Sequence, residues 1–198
     1  MTSIYRQLGV GCERLLRGIV TDKFATSDDD AKWSYDYEKE DGSSATHTLD
    51  IRIDVEALKK PEHKASIAAW LNQCSESLGL LPERARDLRG VVMEVRQGYK
   101  SADSKRQNAD LRFCTRAYNE NYLPAIVIVS SQVSAPVSRR YRASQLLVLT
   151  GIRGTKTEST FSFYREVVGY DLAGFFERNS LKLRMEFGGT LQALLTPT

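Results

Sequence analysis

The chain reads as an α/β protein: a central mixed β-sheet flanked by helices. Three observations carry that expectation. The segment THTLDIRIDVEAL at residues 46–58 alternates apolar and polar side chains, the periodicity of a strand with one buried face. VVMEVR at 91–96 and AIVIVS at 125–130 are apolar runs of strand length, and the second suits a strand buried on both sides. Helical apolar spacing fills the stretches between them, so helices cover the sheet faces. Strand order is not legible from this pattern. At 198 residues, with 41% hydrophobic side chains, the chain suits a single domain. Its expected parts are an N-terminal helix and acidic loop (1–46), a core (about 47–151) and a helical C-terminal region (152–198).

The elements follow in order. Ile4, Leu8, Leu15, Leu16 and Ile19 predict a helix over 4–21. Residues 25–46 are rich in acids, Ser and Gly and read as loop with a short edge strand. In the alternating segment, Leu49, Ile51, Ile53 and Val55 share one face and Asp50, Arg52, Asp54 and Glu56 the other. Pro61 opens a helix that runs to Leu78 and stops at Gly79. A turn over 81–89 leads into the strand 91–96, and a helix follows from Ser104 to Asn119. Pro124 precedes the 125–130 strand, Val137–Arg142 is a short basic helix, and Leu146–Leu149 is a further buried strand. Helices are expected at 158–168, 172–179 and 181–195. Their aromatic residues Phe161, Phe163, Tyr164, Phe175 and Phe176 are assigned to core or a dimer interface rather than to base stacking.

Several classes drop out on composition. Cys12, Cys74 and Cys114 are far apart and odd in number, and His47 and His63 are the only histidines, which argues against a zinc site or a disulfide framework. No stretch approaches the ~18 apolar residues of a membrane span, and the N-terminus lacks a signal-peptide core. A soluble cytoplasmic protein is expected. The net charge of +3 is unevenly spread. Nine Arg/Lys face five Asp/Glu between Glu83 and Arg116, five basic residues and no acids lie between Arg139 and Lys156, and Asp28–Asp41 holds seven acids. Basic clusters of this kind suit phosphate or nucleic acid, with a solvated surface as the alternative.

The chemistry centres on residues 91–100. On the 91–96 strand Glu94 and Arg96 share a face, roughly 6–7 Å apart. Burying a carboxylate and a cation on an apolar strand is costly unless something needs them. In the next helix Lys105 and Arg106 occupy the first turn, where the helix dipole disfavours cations. A phosphate bound by Lys100, Lys105 and Arg106 would resolve the conflict; a cap from Asp103 is the simpler alternative. Phosphodiester hydrolysis needs a hard cation held by carboxylates and a cationic side chain near the developing charge. PD-(D/E)XK nucleases build this from an Asp on one strand and Glu-x-Lys on its neighbour. Here Glu94-Val95-Arg96 stands where Glu-x-Lys would be, and Asp54 is the chosen partner acid, with Asp50 and Asp87 as alternatives. Arg96 departs from the lysine and cannot act as a general base at neutral pH, so that role is left open among Arg96, Lys100 and Lys105, the last within a literal Asp103-Ser104-Lys105.

The run EVRQGYKSADSKRQNADL (94–111), AYNENYLPAIVIVSSQ after it, and then VSRRYR resemble the ApaLI-like family of type II restriction endonucleases. The resemblance covers roughly residues 88–151. It implies a PD-(D/E)XK restriction-endonuclease-like core and Mg2+-dependent, sequence-specific cleavage of double-stranded DNA by a homodimer. A cognate DNA methyltransferase would be a genetic partner only. Asp54 and Glu94 would hold the metal, and Arg96, Lys100 and Lys105 would stand near the scissile phosphate. Arg106, Arg139, Arg140 and Arg142 would join Lys100 and Lys105 in contacting DNA.

Overall fold

A computed structural model describes residues 2–39, 41–98 and 104–195, with side chains described for 7–39, 41–98 and 106–186. The elements run α1 (Thr2–Phe24), β1 (Trp33–Glu38), β2 (Ser44–Leu49), β3 (Ile51–Asp54), α2 (Pro61–Leu78), α3 (Pro82–Asp87), β4 (Gly90–Arg96), α4 (Ser104–Asn119), β5 (Tyr122–Ile128), α5 (Ala135–Ala143), β6 (Leu147–Thr150), α6 (Thr160–Phe163) and α7 (Leu172–Leu195). The central sheet has the order β3-β4-β5-β6. β3 is antiparallel to β4, and β4, β5 and β6 are mutually parallel. The α/β class with a mixed sheet is therefore as expected. Parallel neighbours need a crossover, and α4 and α5 supply the two that the sheet requires.

Burial explains the sequence pattern of each strand. β4 and β5 lie at the centre of the sheet and are buried along nearly their whole length, hence their unbroken apolar runs. β3 is an edge strand, buried at Ile51 and Ile53 and only half-buried at Arg52 and Asp54, hence its alternation. Gly90 opens β4 opposite Asp54, where a Cβ would stand 2.1 Å from the Ile53 carbonyl oxygen, so only glycine fits. β5 starts earlier than expected, at Tyr122. Pro124 falls inside it because β6 joins the sheet only from Ala125.

Three segments depart from the sequence reading. The acidic stretch 25–46 carries a full strand, β1, which pairs with β2 as a two-stranded ribbon from Trp33↔Leu49 to Glu38↔Ser44. Acidic composition masked the alternation of Trp33, Tyr35 and Tyr37 with Ser34, Asp36 and Glu38. The expected single strand over 49–56 is divided at Asp50, a bend between β2 and β3. In the C-terminal region α6 continues as a π-helical turn over Tyr164–Val168, and α7 is one continuous helix.

Phe163 and Tyr164 join the core, one of the two expected alternatives, and Phe161 and Phe176 pack half-buried against it. Phe163 lies 4.6 Å from the Trp70 ring of α2, centroid to centroid, and the buried Tyr164 hydroxyl donates to the Leu16 carbonyl of α1. Pro61 and Gly79 bound α2 as expected; Gly79 sits at φ 64°, the left-handed cap conformation. Among the described residues no helix is long and apolar enough to cross a membrane.

Candidate functional site

The bend at Asp50 is where the site begins. Ile51 pairs with Met93, so Asp50 lies level with Glu94 across the β3–β4 pair. Its carboxylate accepts the Val95 amide at 2.8 Å, and Arg17 of α1 donates to its carbonyl at 3.2 Å. These bonds hold Asp50 half-buried at the sheet, where β-ladder pairing has lapsed.

Glu94 projects from the centre of β4 and is only 7% exposed. Its Oε1 meets Arg96 Nη1 at 2.7 Å, whereas its Oε2 is buried and has no hydrogen-bond partner. An unpartnered carboxylate oxygen at that depth is costly. Burial pushes Glu94 up to about 8, with Arg96 opposing and Asp50 adding to the rise. Burial likewise pushes Asp50 up to about 6 against the stabilising Val95 amide. Glu13, half-buried midway along α1, adds its negative charge to both. The pair is short of positive charge.

Arg96 spans two carboxylates. Its second arm, Nη2, reaches Asp110 Oδ1 at 3.1 Å. Asp110 is 1% exposed on α4, and the Tyr141 hydroxyl of α5 donates to its Oδ2 at 2.6 Å. The β1–β2 ribbon closes the opposite side. His47 Nε2 stands 3.9 Å from Glu94 Oε2, and its Nδ1 lies 3.1 Å from the Tyr35 hydroxyl. Burial, then the nearby Arg96 charge, holds His47 below its ordinary pKa, so the ring is neutral at pH 7 and brings no cation to Glu94.

Asp54, the partner acid chosen from sequence, is not brought to Glu94. It faces Gly90, about 13 Å along β4 from Glu94. Arg89 Nη2 and Nε reach Asp54 Oδ2 at 2.6 and 3.1 Å, and the Tyr122 hydroxyl donates to the same oxygen at 2.8 Å. Burial alone would raise this carboxyl, but Tyr122 and Arg89 outweigh it and hold it below the usual range. Asp87 is exposed at the end of α3. Asp50 is the acid that the register places level with Glu94.

The expected cations divide similarly. Lys100 lies outside the described residues. Lys105 falls in the first turn of α4, with its side chain likewise outside them. Arg106 is exposed and lines a groove of about 410 Å³ with Gly9, Val10 and Glu13 of α1 and Val95, Arg96, Gln97 and Gly98 of β4 and its exit. Arg139 and Arg142 are exposed on α5. Arg140 is tied to α4, its two arms donating to Gln107 Oε1 at 2.8 Å and Asn108 Oδ1 at 2.7 Å. That fork binds one helix to the next from an exposed position on α5.

Sequence reasoning missed Glu13, His47, Asp110 and Tyr141. One signal was available for Asp110. Gln107, Asp110, Cys114 and Ala117 share one helical face at spacings of three, four and three, so a carboxylate lies in the buried stripe of α4. His47 gave no such signal, because it reaches the site only through ribbon pairing.

A hard divalent cation suits this acid pair. Oxygen ligands and a buried Glu94 oxygen without a hydrogen-bond partner are of the kind Mg2+ takes. Among the described residues no group of three or more His, Cys, Asp or Glu side chains is arranged to hold a metal ion. Comparisons with protein-family models, curated proteins and solved structures returned no match.

Proposed function

We propose that this chain is a magnesium-dependent endonuclease of the PD-(D/E)XK kind that cleaves double-stranded DNA at specific sites as a homodimeric type II restriction enzyme. The observation that carries the reading is Asp50 lying level with Glu94 at the end of the antiparallel β3–β4 pair, one Glu94 oxygen lacking a hydrogen-bond partner. An acid at a strand bend opposite Glu-x-cation is the arrangement such nucleases use. The ApaLI-like phrase at 94–111 supports the same reading independently of the geometry.

In this reading Asp50 and Glu94 hold the cation, whose chemistry is to activate a water and to neutralise charge on the scissile phosphate. Arg96 stays cationic throughout and stabilises the developing negative charge; it takes no proton. Arg106, which lines the same groove as Arg96, contacts the DNA backbone. His47, neutral and steered by Tyr35, fills space beside Glu94 without competing with the metal.

The test is incubation of supercoiled plasmid with the protein and Mg2+. Discrete linear fragments, lost in Glu94→Ala, are the expected result. One observation favours a second reading, a DNA-binding protein without catalysis: Arg96 already occupies one oxygen of Glu94 while its other arm is on Asp110. Retarded but intact plasmid, at protein excess and across several divalent metals, would decide for it.

A further inference from the structure

Arg96 stands where a lysine is expected, and its two arms go to two different carboxylates. Nη1 meets Glu94 at 2.7 Å and Nη2 meets Asp110 at 3.1 Å. A lysine ammonium is a compact point charge on a flexible stem; the planar guanidinium has a fixed fork that spans both acids. Behind Arg96, the two crossover helices each contribute a buried polar group. Asp110 comes from α4 and Tyr141, fully buried, from α5, and they are joined at 2.6 Å. The substitution of Arg for Lys and the buried Asp110–Tyr141 pair therefore belong together.

Resting on the metal-dependent reading above, we propose that Asp110 and Tyr141 are positioning residues that hold Arg96 at the site while Glu94 exchanges its guanidinium partner for a divalent cation. A cation on Glu94 competes for the carboxylate that Nη1 occupies and places positive charge beside it. Arg96 must release Glu94. It keeps Asp110, because losing a guanidinium hydrogen bond from an almost wholly buried carboxylate is costly. The guanidinium thus remains anchored by Nη2 while Nη1 is freed at the wall of the groove that Arg96 shares with Glu13, Gln97 and Arg106. There it can meet an anionic phosphate. Tyr141 fixes the second Asp110 oxygen, so the carboxylate keeps the orientation that Nη2 requires. Without Asp110, Arg96 would cling to Glu94 and compete with the cation.

Calorimetric titration of the full chain with calcium ions, in the absence of DNA, tests this apart from cleavage. Asp110→Asn is expected to weaken calcium binding on the order of tenfold, the usual cost of losing an outer partner of a metal site. Tyr141→Phe, which removes only a hydroxyl, is expected to weaken it less, and it serves in place of Asp110→Asn if that variant does not fold. In an Arg96→Gln background both effects are expected to vanish, because they act through Arg96. Equal weakening with and without Arg96 would mean a general structural role and overturn the proposal, as would wild-type calcium affinity in both single variants. If the wild type binds no calcium, or Glu94→Ala binds it normally, the metal-site reading fails first and takes this proposal with it.

Discussion

The two ends of the β3–β4 pair carry an acid each, and they behave in opposite ways. At one end Asp54 is closed off by Arg89 and Tyr122, and its carboxyl is held below the ordinary range. At the other, Asp50 is half-buried and Glu94 buried, one Glu94 oxygen has no hydrogen-bond partner, and both carboxyls are held above it. The same residue type, four positions apart on one chain segment, is a satisfied ion pair in one place and an electrostatic deficit in the other. Paired acids of the first kind are held ionised; crowded, buried acids of the second kind are held toward their neutral form, as at sites where acids do more than stabilise a fold.

The sharpest way to break this comparison is to remove each acid in turn. Glu94→Ala should abolish plasmid cleavage, by roughly a thousandfold or more, since metal-held charge stabilisation is worth several kcal/mol. Asp50→Asn should do nearly the same. Asp54→Asn should leave the cleavage rate unchanged and cost about 1 kcal/mol of stability in denaturant titration, from its weakened bonds to Arg89 and Tyr122. Loss of cleavage in Asp54→Asn with retention in Asp50→Asn would reverse the assignment.

The next effect is on stability against pH. Because the folded-state pKa values of Asp50 and Glu94 are raised, the folded protein holds protons that the unfolded chain releases. The associated stability is fully present below the ordinary carboxylate range and is lost as pH rises to about 8. Metal-free thermal melts should therefore fall across that interval. Glu94→Gln should flatten the fall, as should saturating calcium. A melting temperature that rises with pH through the same interval would contradict the deficit at this end of the sheet.

The smallest effects are on DNA affinity. Arg106→Ala should reduce the slope of log affinity against log salt by about one unit, the signature of one lost phosphate contact. Arg140→Ala should change that slope less, because Arg140 is already engaged by Gln107 and Asn108. Equal slopes for the two variants in fluorescence-anisotropy titrations would erase the distinction.

Much of the architecture was legible beforehand, and particular residues show where that legibility stopped. Pro61 and Gly79 mark the ends of α2 because their backbone preferences are local. Glu94 stood out because a carboxylate on an apolar strand violates a local pattern. Asp50 and Asp54 could not be separated, since both lie on the charged face of the same alternating segment. The choice follows from Ile51 facing Met93 and Asp54 facing Gly90, a pairing between residues about forty apart in the chain. The β1–β2 ribbon was legible only as a short edge strand in a loop, because its acids dominate the composition while the stripe of Trp33, Tyr35 and Tyr37 is carried by alternate residues only.

The sequence by itself determined the α/β class, most of the helices and central strands, and Glu94 with Arg96 as neighbours on one strand face. These follow from periodicity and backbone preference, which act within a few residues. Only the tertiary structure decided which acid faces Glu94, that Asp110 and Tyr141 stand behind Arg96, that His47 arrives beside Glu94 on the ribbon, and that Arg140 is tied to α4. Each of these depends on register or on helix packing between segments distant in sequence. Burial then converts that proximity into shifted charge, because the cost of an ion depends on what surrounds it in space rather than along the chain.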